Sequence, residues 1–216
     1  SGGALDANNS SLNLVSCTFS NNISQFEGGA INSLNSILTF TDCSFTSNRN
    51  ASSNGGGALN VSGGTLSDVN GTYSNNSSAP GSGGGAIQWA GIDANFTGTT
   101  FNANQSASYR GGAIIATTGA LRFSKCVFSG NTSGARGGAV RGESVVLSFI
   151  DSNFTSNQSA LNGGAISADN STVSTTRCIF TSNQSNSNGG GACHISKGAW
   201  EDNNSSYANN ISSFGG

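Results

Sequence analysis

Charged side chains are scarce in this chain of 216 residues, which has 8 Lys and Arg, 10 Asp and Glu, and a net charge of −2. A nucleic-acid-binding surface needs a concentrated patch of positive charge, and this composition is too poor in Lys and Arg to form one. No apolar run approaches the roughly 20 residues that a membrane-spanning helix requires. We therefore expect neither a nucleic-acid partner nor a membrane-inserted segment.

Proline occurs once, whereas glycine occurs 32 times and Ser, Thr and Asn fill much of the remaining chain. Such a composition is compatible with disorder. Apolar residues nevertheless recur at a fixed interval, which disordered segments do not maintain. The sequence therefore predicts a folded repeat protein.

A Gly-Gly-Ala tetrad that ends in an apolar residue marks the start of each repeat. The first glycines are Gly2, Gly28, Gly56, Gly84, Gly111, Gly137, Gly163 and Gly190, and another Gly-Gly pair begins at Gly215. We number each repeat from this glycine and call it a coil. An aromatic residue always follows 17 residues later, and an asparagine follows three residues after the aromatic. The next Gly-Gly pair begins 5 to 8 residues after this asparagine. The constant part is typical of stacked coils and the variable part of a solvent-facing loop.

Apolar or small residues recur at coil positions 4 and 6, 11 and 13, and 16 and 18. The step of two within each pair is the period of a strand, and the 3.6-residue period of a helix is absent. With about 27 residues per repeat, the pattern predicts an all-β, right-handed parallel β-helix of eight coils with three short strands each. We expect residues 1–216 to form one such domain, excised from a longer protein.

Two motifs occur together in every coil: the Gly-Gly-Ala tetrad, as in Gly111–Ile114, and an aromatic-x-x-Asn motif, as in Phe128–Asn131. In this combination the chain resembles the polymorphic outer-membrane protein repeats of chlamydiae. The resemblance extends over all eight coils. It implies a β-helical passenger of the surface or secreted type and an adhesin function.

One asparagine stands at position 21 of each coil, three residues after the aromatic. Stacked asparagines at a turn can donate and accept hydrogen bonds along a solenoid, so we expect an inward ladder. Seven of the eight also begin an Asn-x-Ser/Thr glycosylation sequon, but Asn48 does not, which favours the structural role. The ladder residues are Asn22, Asn48, Asn76, Asn104, Asn131, Asn157, Asn183 and Asn210.

The chain contains 18 Asn-x-Ser/Thr sequons in all, more than random pairing of its Asn, Ser and Thr predicts. Asn60, Asn95 and Asn153 lie between inward positions, so strand alternation predicts that their side chains point outward. Asn95 and Asn153 are the strongest glycosylation candidates. The full set of candidates is Asn95, Asn153, Asn60, Asn8, Asn170 and Asn203.

Four of the five cysteines share position 16, and two of them, Cys17 and Cys43, lie in adjacent coils. Adjacent coils are ~4.8 Å apart, so this pair is a candidate disulfide. Cys126 and Cys178 are two coils apart, roughly 10 Å, which exceeds disulfide reach. The alternative is that the thiols are buried and act as small apolar groups.

No catalytic or metal-binding pattern is evident. The single histidine, His194, has no acid positioned beside it in sequence, and C-x-x-C and phosphate-loop motifs are absent. Asp42 and Asp151 share position 15 but lie four coils apart, about 20 Å, too far for paired carboxylate catalysis. We expect no enzymatic activity and no cofactor.

The sequence is best interpreted as an extracellular or cell-surface structural protein: a stalk, adhesin or filament subunit that carries N-linked glycans and self-associates end to end. The alternative is a carbohydrate-binding or polysaccharide-cleaving β-helix, with a groove beside the loops at 50–55 and 77–83. An ice-binding face is disfavoured because the threonines do not align over more than a couple of coils.

Overall fold

The computed structural model describes residues 1–52, 55–81, 83–107, 110–187 and 189–213, and within them the chain is an all-β parallel solenoid without helices. Its strands form three parallel sheets, which confirms the β-helical fold. The Gly-Gly pair at Gly215 and parts of the loops at 50–55 and 77–83 lie outside the described residues.

The largest sheet has 14 strands and receives two stretches from each coil, at positions 4–7 and 10–14. In two coils these stretches are continuous: β5 (Ile31–Thr41) and β8 (Leu59–Val69). The first stretches of the other coils are β1 (Leu5–Asn8), β11 (Ile87–Ala90), β15 (Ile114–Ala116), β19 (Val140–Glu143), β23 (Ile166–Asp169) and β27 (Cys193–Ser196). The second stretches are β2 (Ser11–Val15), β12 (Asp93–Thr97), β16 (Ala120–Ser124), β20 (Val146–Ile150), β24 (Thr172–Thr176) and β28 (Ala199–Asn203).

Two further sheets of eight strands each complete the coil. The second sheet carries the aromatic residue of each coil and contains β3 (Thr18–Ser20), β6 (Ser44–Thr46), β9 (Thr72–Ser74), β13 (Thr100–Asn102), β17 (Val127–Ser129), β21 (Asn153–Thr155), β25 (Ile179–Thr181) and β29 (Ser206–Ala208). The third sheet contains β4 (Ile23–Ser24), β7 (Arg49–Asn50), β10 (Ser77–Ser78), β14 (Gln105–Ser106), β18 (Thr132–Ser133), β22 (Gln158–Ser159), β26 (Gln184–Ser185) and β30 (Ile211–Ser212).

The strand assignment within a coil differs in detail from the predicted three strands. The first two predicted strands belong to one sheet, and a two-residue strand after the ladder asparagine forms the third. That short strand was missed because its inward residue is a small polar one, such as the buried Ser106 or Ser185, rather than an apolar one. An apolar period of two cannot detect such a strand.

Single residues in the left-handed conformation form the corners of every coil. Positions 15 and 20 have φ between 50° and 65° throughout, for example Asp42 at 53° and Ser47 at 55°. Asn, Asp, Gly and Ser dominate these corners, since short polar side chains and glycine tolerate this conformation best. Asp42 and Asp151, which share position 15, are therefore corner residues.

The second glycine of each tetrad allows close contact between coils. A Cβ atom at Gly29 would lie 1.9 Å from the carbonyl oxygen of Gly57 in the next coil, and one at Gly112 would meet Gly138 in the same way. Only glycine fits where two backbones approach so closely.

The core consists of side chains stacked in columns along the solenoid. At position 18, successive aromatic rings from Phe19 to Tyr207 lie 4.6–5.0 Å apart with interplanar angles of 1–10°. Phe96, Phe123 and Phe149 form a second column at position 13. The inward positions predicted from the sequence therefore build a continuous apolar interior.

Candidate functional site

The position-21 asparagines form an unbroken ladder from Asn22 to Asn210. In a typical rung, the backbone N–H and the Nδ2 group of Asn48 both donate to Oδ1 of Asn76, at 2.9 and 3.1 Å. Asn48 Nδ2 also donates to the carbonyl oxygen of Phe19 in the preceding coil, at 2.9 Å. Each interior amide thus uses both Nδ2 hydrogens, and its Oδ1 accepts two hydrogen bonds.

This ladder has a direction. Between successive asparagines, each one donates to Oδ1 of the asparagine in the following coil, and the seven Nδ2–Oδ1 distances are between 2.9 and 3.1 Å. Six of its eight asparagines are completely buried, and Asn22 and Asn210 at the two ends are half-buried. The ladder therefore satisfies buried backbone groups that would otherwise lack partners.

Five of the six glycosylation candidates have exposed side chains: Asn8, Asn95, Asn153, Asn170 and Asn203. Asn60, the sixth candidate, is covered although it shares coil position 5 with Asn32. Asn60 is only 7% exposed, and its Nδ2 donates to Oδ1 of Asn32 at 2.8 Å. Asn60 pairs in register with Asn32 in the parallel strands β5 and β8, which places the two amides side by side in adjacent coils.

All five cysteines are free thiols, including the candidate disulfide pair Cys17 and Cys43. Cys43 is buried and donates to the carbonyl oxygens of Leu14 and Thr41, each at 3.4 Å. Burial raises the pKa of the Cys43 thiol, and it raises that of Cys126 to about 12. Such thiols are poor nucleophiles, which fits packing rather than reactivity.

Two coils have an acid at the inward position 13, and each has tyrosine at position 18. In coil three, Asp68 is fully buried and accepts a hydrogen bond of 2.5 Å from the Tyr73 hydroxyl. In coil eight, Tyr207 occupies the same place relative to Asp202, near the end of the solenoid. Where four other coils have phenylalanine at position 13, these two have an acid. The tyrosine hydroxyl compensates by donating a hydrogen bond to the carboxyl group.

A cavity with a volume of about 430 Å³ lies against coils six to eight. Arg141, whose side chain is only 4% exposed, lies at its base. Its Nη2 is 2.5 Å from Asp169 Oδ2 and 3.2 Å from Glu143 Oε1, and its Nη1 donates to Ser167 at 3.0 Å. Arg136 pairs with the same Asp169 oxygen at 3.1 Å.

Neighbouring charges and burial shift the pKa values of two groups in this cluster, Asp169 and His194. Burial raises the pKa of Asp169, but the hydrogen bond and charge of Arg141, with Arg136, outweigh it and leave the pKa lowered. The pKa of His194 is also lowered, chiefly by burial and further by Arg136 and Arg141. Since a general acid needs a raised pKa, Asp169 is poorly suited to protonate a leaving group.

Sequence reasoning missed this cluster. Glu143 and Asp169 both stand at position 7, in adjacent coils, and Arg141 and His194 both stand at position 5. The signal was available, because side chains at equal positions of neighbouring coils are stacked. Glu143 and Asp169 are 26 residues apart in the chain, so only their shared coil position indicates that they are neighbours.

In the described ranges no group of three or more His, Cys, Asp or Glu is arranged to hold a metal ion. The same residues include no helix long and apolar enough to cross a membrane.

Three segments, residues 16–34, 125–143 and 151–169, match the Chlamydia polymorphic membrane protein repeat. No curated protein and no solved structure matches the chain. Each matched segment runs from the corner at position 15, past the aromatic and the ladder asparagine, through the next Gly-Gly-Ala tetrad to position 7. It therefore spans the features that build the solenoid. These three segments, 57 of the 216 residues, are parallel β-solenoid repeats of the Chlamydia polymorphic membrane protein type, a family that suggests a surface-associated protein.

Proposed function

We propose that the chain is an extracellular or cell-surface structural segment, a glycosylated β-helical stalk or filament unit that stacks end to end. A closely related function is adhesion, in which the side of the rod would bind a receptor. The observation that carries the proposal is the complementarity of the two ends of the solenoid.

Apolar side chains are exposed at the eighth coil because nothing in the described chain covers them. Trp200 and Tyr207 are 45% and 40% exposed, whereas their counterparts one coil earlier, Val173 and Phe180, are 1% and 0% exposed. At the opposite end, Phe19 is half-buried against the core. A ring stacked on Tyr207 as Tyr207 stacks on Phe180, at 4.8 Å, would bury both ends.

The polarity of the asparagine ladder supports head-to-tail stacking. Its last rung, Asn210, accepts from Asn183 and donates one Nδ2 hydrogen to Phe180, which leaves its backbone N–H and second Nδ2 hydrogen directed toward a following coil. Its first rung, Asn22, donates to Asn48 and offers Oδ1 as an acceptor. Donors at one end therefore meet acceptors at the other, and parallel strand edges have the same polarity. The molecule that stacks on each end is therefore a second copy of this chain.

Glycans fit the flanks of this rod. The five exposed sequon asparagines lie away from the stacked core, and bulky sugars there would keep rods from associating through their flanks. We also propose that the segment is not an enzyme, a proposal supported by the lowered pKa of Asp169.

Sedimentation velocity tests the stacking. The chain is expected to form concentration-dependent rods, and both Tyr207→Asp and Phe19→Asp should convert them to monomers, because each places an unpaired carboxylate against an aromatic ring. An equimolar mixture of the two variants should stop at heterodimers, since each retains one intact end. Head-to-head stacking would not produce this result.

The matched control is Phe26→Ser, which removes a flank ring that is 69% exposed, and it should leave the rods intact. Circular dichroism verifies that each variant is folded. A wild-type chain that remains monomeric at all concentrations, as expected if other coils of a longer protein cover the ends, would overturn the proposal.

A further inference from the structure

Charge is concentrated at one place on this weakly charged chain. Five charged side chains line the cavity of coils six to eight: Arg136, Arg141, Glu143, Asp169 and Lys197. The only histidine, His194, lines it too. Since charged residues make up 8% of the sequence, such a cluster is unlike the Ser-, Thr- and Asn-rich remainder of the surface.

The base of the cavity is rigid. Arg141 is fixed by Glu143, Asp169 and Ser167 from two adjacent coils, and Asp169 is fixed by both Arg141 and Arg136. These contacts hold the guanidinium and the carboxylates in place before any ligand arrives, as a binding site requires. The cavity volume of about 430 Å³ is within the ~300–1,000 Å³ typical of small-ligand sites.

Hydrogen-bonding capacity remains after these contacts. Within the described residues, Lys197 forms no ion pair, and its side chain is exposed at the rim. Oδ1 of Asp169 and Oε2 of Glu143 receive none of the hydrogen bonds that Arg136 and Arg141 make. Asn162 Nδ2 lies 3.1 Å from His194 Nε2, so Nε2 is the acceptor and the neutral ring carries its proton on Nδ1.

The chemistry of a matching ligand follows from this inventory. Three cations and two carboxylates give the cavity a charge of +1 with His194 neutral, so it favours a ligand with one negative charge. The free carboxylate oxygens require donors, and because both carboxylates are already paired with guanidinium groups, neutral hydroxyl groups suit them. A phosphate ester offers few such donors and would face both carboxylates at close range.

We propose that this cavity binds an acidic sugar, a pyranose ring that carries one carboxylate, as a unit of an extracellular polysaccharide. Lys197 and the free N–H groups of Arg136 bind the ligand carboxylate, while Glu143 and Asp169 accept from ring hydroxyls. The cavity spans three coils, a length of roughly 10 Å from first to last, so a single sugar unit can lie along it. This binding does not depend on end-to-end stacking.

The test is an NMR titration of the full chain with methyl glucuronide. Because His194 is the only histidine, its imidazole signals report on this cavity alone. Methyl glucuronide should shift them saturably and raise the pKa of His194, since the added negative charge offsets Arg136 and Arg141. Two controls should each bind at least about tenfold more weakly than methyl glucuronide. Methyl glucoside is the neutral analogue, and acetate lacks the ring hydroxyls.

Two lysines provide a matched pair of variants. Lys197 and Lys125 are both exposed and both in the left-handed conformation, with φ of 52° and 55°. Lys197→Gln should weaken methyl glucuronide binding about tenfold, whereas Lys125→Gln, three coils away, should leave it unchanged. Equal binding of acetate and glucuronide, an equal loss in both variants, or no saturable shift would overturn the proposal.

Discussion

Coils three and eight contain the same pair of residues in different surroundings. In coil three, Asp68 is completely buried and accepts from Tyr73 within its own coil and from Thr99 in the following coil, at 2.5 and 3.3 Å. In coil eight, Asp202 is exposed and accepts from Thr175 in the preceding coil at 2.7 Å. The interior pair is covered on both sides, and the end pair on one.

This difference in cover reverses the direction of the pKa shift. Burial raises the pKa of Asp68 to about 6, although Tyr73 and Thr99 partly oppose it through hydrogen bonds. Burial also acts on Asp202, but hydrogen bonds from Ser205, Thr175 and Tyr207 outweigh it and lower the pKa. The electrostatics of a solenoid residue therefore depend on the neighbouring coils as much as on its own coil.

The largest contrast between these coils is expected in the asparagine ladder. Asn76→Ala in coil three leaves the buried backbone N–H and one Nδ2 hydrogen of Asn48 without their acceptor. At about 1–3 kcal/mol for each orphaned group, we expect a loss of about 4 kcal/mol in unfolding free energy. Asn210→Ala in coil eight should cost about 1 kcal/mol, because Asn210 is half-buried and water can replace its Oδ1 as the acceptor for Asn183.

Urea denaturation followed by circular dichroism measures both losses. The control is Asn95→Ala, an exposed strand residue of coil four, which should change stability by less than about 0.5 kcal/mol. Equal losses for Asn76→Ala and Asn210→Ala would show that cover by a neighbouring coil does not determine the strength of a rung.

The second contrast is in pH dependence. Asp68 has a raised pKa when folded, so the folded state retains its proton more strongly than the unfolded state. The stability associated with this group is complete below pH ~4 and falls as the pH rises through about 6, by roughly 3 kcal/mol for a shift of about two units. Asp68→Asn should therefore stabilise the protein at pH 7.5 by up to about 3 kcal/mol.

Asp202→Asn should act in the opposite direction. Because the folded pKa of Asp202 is lowered, its carboxylate stabilises the fold above the unfolded pKa, and this contribution disappears as the pH falls. The effect should be smaller, since the exposed group is screened by solvent. Urea midpoints at pH 4 and 7.5 compare the two variants, and a lower midpoint for Asp68→Asn than for wild type at pH 7.5 would contradict the account.

Much of the fold was predictable because the sequence repeats its constraints eight times. Constant spacing from Gly28 to Phe45, and from each equivalent glycine to its aromatic, requires coils in register, and strand alternation identifies the inward columns. The short third-sheet strand was not predictable from apolar periodicity, because serine such as Ser106 occupies its inward position. Its backbone pairing, rather than apolar burial, defines it.

The departures from the repeat were harder to interpret from one coil alone. The two coils with an acid at position 13, coils three and eight, are also those with tyrosine at position 18. In coil three, Gly71 leaves space for the Asp68 carboxyl group, because a Cβ atom there would lie 2.2 Å from Asp68 Oδ1. Asn60 was assigned outward by alternation, yet its neighbour Asn32 covers it. Contacts between coils decide both cases, and these require the three-dimensional register.

Glycosylation provides a separate test of the contrast between coils three and eight, and it has the smallest expected effect on stability. Asn76 in coil three and Asn203 in coil eight both begin sequons, but Asn76 uses both Nδ2 hydrogens in the ladder whereas Asn203 is exposed. A glycan replaces one Nδ2 hydrogen, so a glycosylated interior rung cannot form its full set of bonds. After secretion from a eukaryotic host, glycopeptide mapping should find sugars on Asn95, Asn153 and Asn203 and none on Asn76.

The control is Thr97→Ala, which abolishes the Asn95-Phe96-Thr97 sequon while keeping the asparagine, and it should remove that glycan with little change in stability. Asn60 sharpens the test, because it lies on a strand like Asn95 but donates Nδ2 to Asn32 and is buried. If hydrogen bonding and cover decide occupancy, Asn60 should be bare. Sugars on Asn60 or on the interior rung Asn183, with Asn95 unmodified, would mean that position along the strand, not engagement of the amide, controls modification.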